Sequence, residues 1–398
     1  MTAHPDHEEL QMLGDGTLVE PVESETQLVM AAGVKSAVAG QWTLLLWRFR
    51  RQRVAMASMI VIVLFYLVAI FAEFLAPYGP DMTRPQYTYA PPQGINMFVV
   101  DASGSWQFKL HAAGYKITVD EQAMRRTFEV DPEKIIPLGF LVAGETYRLW
   151  GLFETNVHFL GPTDPTQTVY FLGSDRIGRD LFSRLIYGTR ISLSIGLVGV
   201  VISLVLGIFL GGVSGYYGGA IDTVIQRVVE IVSAMPTIPL WMGLAAAIPL
   251  SWSPALVYFT VTAIVSLLGW TSLAREVRGR FFALREEDFV TAARLDGSSE
   301  MRLIFRHMLP SITSHLLAMV TLAIPAMIIA ETSLSFLGIG LKPPVVSWGV
   351  LLQDAQNIRA IANAPWLLIW PALAVMVSVL SFNFLGDGLR DAADPYGN

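Results

Sequence analysis

The 398 residues contain no cysteine, and lysine occurs only as Lys35, Lys109, Lys116, Lys134 and Lys342. Without thiols, disulfides, cysteine-ligated zinc and thiol catalysis are excluded. No lysine stands where Gly-x-x-x-x-Gly-Lys-Ser/Thr requires one, so the chain has no nucleotide-binding P-loop of its own. Charge is also sparse. Only 15% of residues are Asp, Glu, Lys or Arg and 53% are hydrophobic, whereas a soluble domain carries about a quarter charged residues. The composition is that of a membrane protein, and the net charge of −6 says little because the charges are so unevenly placed.

Windows free of charge locate the spans, since roughly 20 apolar residues cross a bilayer. They lie at 54–72, 191–213, 311–330 and 366–386, and the uncharged stretch 231–274 is long enough for two more, with Ser251-Trp252-Ser253-Pro254 as the turn between them. Six helices are therefore expected. Arg48, Arg50, Arg51 and Arg53 directly precede the first window, which places the N-terminus in the cytoplasm by the positive-inside rule. Six spans return the C-terminus to the same side. Arg275, Arg278, Arg280, Arg285, Arg294, Arg302 and Arg306 then fall between spans four and five, also on the cytoplasmic side.

Residues 1–45 read as an acidic, mobile cytoplasmic tail: Asp6, Glu8, Glu9, Asp15, Glu20, Glu23 and Glu25 face only Lys35, with little apolar periodicity. His4 and His7 in this tail lack the further ligands a metal site needs. Residues 46–76 hold the N-terminal anchor helix. Residues 77–171 form a polar insertion on the outer side, with extended patterns at 96–100, 106–110, 115–119, 126–130 and 147–152 and an Asp101-Ala102-Ser103-Gly104 turn. A small β-rich domain of roughly five or six strands is expected there. Contact with an extracytoplasmic partner and simple stabilisation of the outer face are equally open readings of it.

One charged segment, 285–310, stands between hydrophobic stretches. Phe289, Val290, Ala292 and Ala293 form one apolar strip, and Met301, Ile304, Phe305 and Met308 form a second at helical spacing. Gly297 suits the position just past a helix end, and Ser298 or Ser299 can cap the next helix. A helix-turn-helix knob on a membrane protein reads as a docking element for something outside the bilayer.

The run Thr291-Ala292-Ala293-Arg294-Leu295-Asp296-Gly297, closed by Leu309-Pro310, resembles the signature loop of ABC-importer permeases. Ser174-Asp175-Arg176-Ile177-Gly178-Arg179-Asp180, Ser183-Arg184 and Tyr187-Gly188-Thr189-Arg190 are similar to the entry to span two in the second permease of dipeptide and oligopeptide importers. Gly215-Tyr216-Tyr217-Gly218-Gly219, Ser335-Phe336-Leu337-Gly338, Ser347-Trp348-Gly349 and Phe382-Asn383-Phe384-Leu385-Gly386-Asp387 with Asp394-Pro395 match the same branch. Thr291 departs from it, standing where the general signature has Glu, and Met308 replaces an Ile.

The resemblance implies an all-α polytopic membrane protein of the binding-protein-dependent ABC importer permease type, with the β-rich insertion between helices 1 and 2. Residues 172–398 are its permease core, and 275–310 its cytoplasmic coupling loop. It implies import of peptides; oligosaccharides or nickel chelates are the alternatives within the same architecture. The expected partners are a second permease subunit, one or two cytoplasmic ABC ATPases carrying ATP and Mg, an extracytoplasmic substrate-binding protein and the lipid membrane, with no nucleic acid. The chain itself is expected to bind no cofactor or metal and to catalyse nothing.

Coupling is expected at Phe289, Thr291, Ala292, Ala293, Arg294, Asp296, Gly297, Ile304, Phe305, Arg306, Leu309 and Pro310. Phe289, Ile304 and Phe305 would supply apolar contact area, while Arg294, Arg302 and Arg306 would pair with acidic groups. Gly207, Gly211, Gly215 and Gly219 follow the i, i+4 small-residue pattern of close helix packing, within this chain or against a second permease. Asp222, Arg227, Glu230 and Glu331 are ionisable groups at or near span ends and candidates for a pathway or gate; Arg227 and Glu230 are also spaced to pair. Pro236, with Pro239 and Pro249, would bend or break span three. An intramembrane enzyme needs a catalytic constellation that His7-Glu8-Glu9, His307 and His315 do not supply, and an ion-gradient-driven transporter has no use for the knob.

Overall fold

The computed structural model describes residues 41–100, 106–120, 125–249, 251–357 and 362–393. The acidic tail with His4 and His7, the Asp101–Gly104 turn and Asp394-Pro395 lie outside the described residues.

Among the described residues five helices are long and apolar enough to cross a membrane: α2 (Arg53–Ile70), α4 (Leu181–Tyr217), α7 (Pro254–Leu284), α11 (Thr313–Phe336) and α13 (Trp366–Ala393). The short α1 (Gln41–Arg51) and α3 (Ala72–Leu75) flank α2. The expected third span is not one helix. α5 (Gly219–Ala234) and α6 (Thr237–Ala246) meet at an 86° bend, so the count of six is reached only if this broken pair is one span. Met235 and Pro236 at the bend are both extended, with ψ of 135° and 118°. Proline lacks an N–H and drives its predecessor out of the helical region, which ends α5 there. α6, ten residues long, rises about 15 Å and cannot cross a hydrocarbon core of about 30 Å alone.

α4 is the spine. Its 37 residues contain no proline and rise about 55 Å. The Asp180 carboxylate caps its start by accepting the Ser183 N–H at 2.8 Å, and Gly218 at φ 67° ends it. Gly207, Gly211 and Gly215 face α7 directly. A Cβ on Gly211 would lie 2.4 Å from the Ala274 carbonyl oxygen, and one on Gly215 2.7 Å from that of Arg278. Gly219 lies outside this stripe: it opens α5 at φ 55° with nothing within 4 Å of a Cβ. Its spacing continued the pattern, but the helix had already ended at Gly218.

Arg190 of α4 holds the far end of α2. Its guanidinium donates to the Ala69 carbonyl at 2.7 Å and the Ile70 carbonyl at 3.2 Å, and makes two 2.6 Å bonds to the Glu73 carboxylate. The last carbonyls of a helix have no partners within it, and one side chain here satisfies two of them. α7 continues ten residues beyond the charge-free window, through Arg275, Arg278 and Arg280 to Leu284.

The insertion is a four-stranded antiparallel meander in the order β1-β2-β3-β4: β1 (Ile95–Val100), β2 (Trp106–Asp120), β3 (Arg125–Leu149) and β4 (Phe153–Pro162). It is built of fewer, longer strands than the roughly five or six expected. The patterns at 106–110 and 115–119 are one strand, bridged by Ala112, Ala113 and Gly114, where the register to β3 shifts. Those small residues interrupt the alternation without ending the strand. The patterns at 126–130 and 147–149 are likewise both β3, which pairs first with β2 and then with β4.

The α4–α7 contact gives a direct check. Gly211→Ala is expected to lower the thermal midpoint of the detergent-purified protein by the equivalent of roughly 1–3 kcal/mol, as overpacking does. Gly243→Ala, inside α6 where a Cβ meets nothing within 4 Å, should not lower it and is expected to raise it slightly, by about 0.5–1 kcal/mol.

Candidate coupling site

Beyond α7 the chain folds back on itself as α8 (Asp288–Leu295), the turn α9 (Glu300–Arg302), a π-helical stretch (Leu303–Met308) and α10 (Leu309–Ser311). Gly297, at φ 80°, ends α8. Its N–H bonds the Arg294 carbonyl and the Ser298 N–H bonds the Ala293 carbonyl, each at 3.1 Å. This bond pair closes a helix C-terminus and favours glycine in the left-handed position. Space is not the reason, since a Cβ there meets nothing within 4 Å. Ser299 occupies the next N-cap position but makes no side-chain cap bond, unlike the capping expected of it. In the π-helical stretch the Leu309 N–H reaches back five residues to the Ile304 carbonyl. Pro310 follows at once, and its missing N–H and bulky ring prevent an ordinary ladder from running through unbroken.

The segment has two faces. Val290, Ala293, Leu303, Ile304 and Met308 are buried against Val277 and Phe281 of α7. Phe289, Leu295, Met301 and Phe305 point outward, Leu295 at 83% exposure and Phe305 at 50%. Thr291, Ala292, Arg294, Asp296, Gly297, Arg302, Arg306 and Pro310 are exposed alongside them, and Leu309 is half-buried against the inner core. Ile304 therefore differs from its expected place: at 6% exposure it secures the knob to α7 rather than offering contact area. Leu295 and Met301 are the apolar side chains exposed in its place. Helical spacing groups residues on a face, but the tight Gly297 turn decides which face meets α7. The Tyr217 hydroxyl at the end of α4 donates to Glu300 at 2.7 Å, and Arg285 stacks over Phe282 at 4.5 Å.

The other candidates are scattered. Asp222 of α5 accepts a 2.6 Å bond from Arg278 of α7 and another from the Ser214 hydroxyl, which ties the α4–α5 turn to α7. Arg227 and Glu230 pair at 2.7 Å on an exposed face. Pro236 stands at the α5–α6 break. Glu331, on α11, is fully buried far from these groups, accepting from the Ser335 and Ser347 hydroxyls at 2.8 and 2.7 Å. His315 meets Glu276 at 2.8 Å. Among the described residues no group of three or more His, Asp or Glu is placed to hold a metal.

Sequence reasoning quoted Asp175, Arg179 and Arg184 only as motif positions. The structure makes them a buried charge cluster. Asp175 accepts from Arg179 at 2.6 Å and from Arg184 at 3.0 Å, and Arg184 also reaches Asp354 at 3.1 Å. The cluster pins α12 (Trp348–Asp354) to the start of α4. Its missing signal was Asp354, which lies 170 residues from Arg184.

Residues 176–396 match the family described as the binding-protein-dependent transport system inner membrane component, and residues 40–92 match the N-terminal TM domain of oligopeptide transport permease C. The oligopeptide transport system permease protein OppC of Bacillus subtilis is 34% identical over 61% of this chain and 76% of its own length. The dipeptide transport system permease protein DppC of Alkalihalophilus pseudofirmus is 37% identical over 57% of this chain and 72% of its own. OppC of Haemophilus influenzae is 34% identical over 69% and 88%. The inward-facing MetNI methionine ABC transporter aligns at 16% identity with a TM-score of 0.43, covering 53% of this chain and 97% of that one. The chain belongs to the binding-protein-dependent inner membrane component family: it is a multi-pass, non-catalytic permease subunit of an ABC importer. It works in a membrane complex with another permease and with an ATPase that hydrolyses the ATP.

Two measurements probe this geometry. Asp222→Asn and Arg278→Gln should each lower the thermal midpoint, while the double variant loses less than the sum, with a coupling of about 1 kcal/mol for a half-exposed pair. Burial pushes the Asp180 carboxyl up to about 6, against the bonds from Ser183 that lower it. Its folded value exceeds the unfolded 3.8, so the associated stabilisation is complete below that value and is lost as pH rises through about 6. Asp180→Asn is therefore expected to gain on the parent between about pH 4 and 7, by on the order of 2 kcal/mol, in thermal melts across pH.

Proposed function

We propose that this chain forms half of the translocation pathway of an ATP-driven importer for dipeptides or oligopeptides. The outward face of the knob seats in a cleft of a cytoplasmic ATPase. The observation that carries this reading is the division of the segment into two apolar faces. One is locked to α7, while the other leaves Phe289, Leu295, Met301 and Phe305 in the open. A loop serving only as a connection has no reason to expose large apolar side chains beside three arginines. With no P-loop in the sequence, nucleotide must be bound in trans.

The arginines before α2 and around the knob support a cytoplasmic placement of both, with the β-sheet insertion on the outer side. A second permease completes the pathway, one or two ATPases drive it, and a substrate-binding protein delivers cargo from outside. Peptides are the favoured cargo because the relatives are named for oligopeptide and dipeptide transport. Thr291, exposed on α8 where the general signature has Glu, leaves the dock to rest on apolar packing and on the arginines.

The test is ATP-dependent uptake of labelled peptide by the reconstituted importer. Phe305→Asp places a charge on the docking face, and Gly297→Pro removes a bonded N–H and a positive φ. Both are expected to reduce uptake at least about tenfold and to uncouple it from ATP hydrolysis, with membrane insertion unchanged. Uptake by this chain alone, driven by an ion gradient in liposomes, would sink the reading.

A further inference from the structure

The β3–β4 hairpin turns at a place where water would demand polar residues, yet it reads Leu149-Trp150-Gly151-Leu152-Phe153. Turn tips in water carry Asn, Asp, Ser or Gly. Here a single glycine sits among four large apolar side chains, and Leu152 is 75% exposed. Alternation also fails, since Leu152 and Phe153 are adjacent and both exposed. Neither side of the ribbon is reserved for solvent.

The tip is fastened to the end of a membrane span. The Trp150 indole N–H donates to the Ile70 carbonyl at 2.8 Å, and its ring lies 5.9 Å from that of Phe71. Trp150 adopts φ 53°, a left-handed conformation that a bulky residue rarely takes unless its surroundings hold it. Ile70 closes α2, an 18-residue helix rising about 27 Å, close to the hydrocarbon thickness of a bilayer. With Arg53 at one boundary, Ile70 lies at the other, and Trp150 with it. On the same flank Phe74, Phe159 and Phe140 continue the aromatic surface, with ring centroids 5.9 and 5.5 Å apart. The exposed Arg148 and Glu154 stand one step back from the tip, where lipid headgroups begin.

We infer that the β3–β4 hairpin is embedded in the outer boundary of the bilayer, as a foot of the insertion resting in lipid. The lipid-facing side chains of α2, among them Leu64, Leu67 and Ile70, run without interruption into Phe71, Trp150 and Leu152. Trp and aromatic rings at this level are the mark of a membrane interface, where an apolar body and a polar N–H are both satisfied. The occupant is thus a lipid surface continuous with the one α2 already faces.

The absence of cysteine makes a unique spin label simple to place. The assembled importer in nanodiscs is labelled through Leu152→Cys, and separately through Phe108→Cys, which is 74% exposed on β2. Nitroxide relaxation by oxygen and by a water-soluble nickel chelate is then compared. Expected is an oxygen-to-nickel ratio several-fold higher at 152 than at 108. A label at 152 that is freely relaxed by the nickel chelate, with a low oxygen-to-nickel ratio, means the tip is in water and overturns the proposal. An immobilised label at 152, shielded from both reagents, assigns the tip to a protein partner and overturns it equally.

Discussion

Everything in the described core hangs on the close approach of α4 and α7. Lipid offers no hydrophobic drive between helices, so packing has to come from surface contact at short range. Gly207, Gly211 and Gly215 let the two backbones meet without intervening side chains, and the carbonyls of Ala274 and Arg278 occupy the space a Cβ would need. That proximity brings Asp222 within reach of Arg278 and positions Phe281 to form the floor of the coupling knob. Separate the helices by a methyl group and both arrangements shift together.

Much of this architecture is legible in the sequence, because exclusion of charge over some twenty residues has few other causes. The α2, α4, α11 and α13 windows find their helices, and the Gly297 turn is where the residue type said it would be. The span read at 231–249 is different. A hydropathy window registers only the lack of charge across Pro236; the break there is legible in the proline itself, which is expected to bend or break span three. The sheet fails for the opposite reason. Gly114 and its alanine neighbours interrupt the alternation between 106–110 and 115–119, but cross-strand pairing to β3 carries the strand through.

The two-helix form of segment 285–310 was legible in the sequence, its division into inner and outer faces only in part. Its apolar residues recur at helical spacing, yet periodicity alone does not say which strip belongs to the molecule and which to a partner. The assignment of Ile304 inward and Leu295 outward depends on the angle that Gly297 and the π-helical stretch impose. The buried cluster of Asp175, Arg179, Arg184 and Asp354 was hidden because its fourth member is distant in the chain. Removing one member of such a cluster strands a buried charge, which is why its parts belong together.

The unbroken length of α4 has a mechanical meaning. One end is bonded to the knob through Tyr217 and Glu300, and the other is welded to α12 by the charge cluster. No proline interrupts the 37 residues between them, which removes one common cause of a sharp kink. The knob and the charge cluster are thereby joined through one continuous helix.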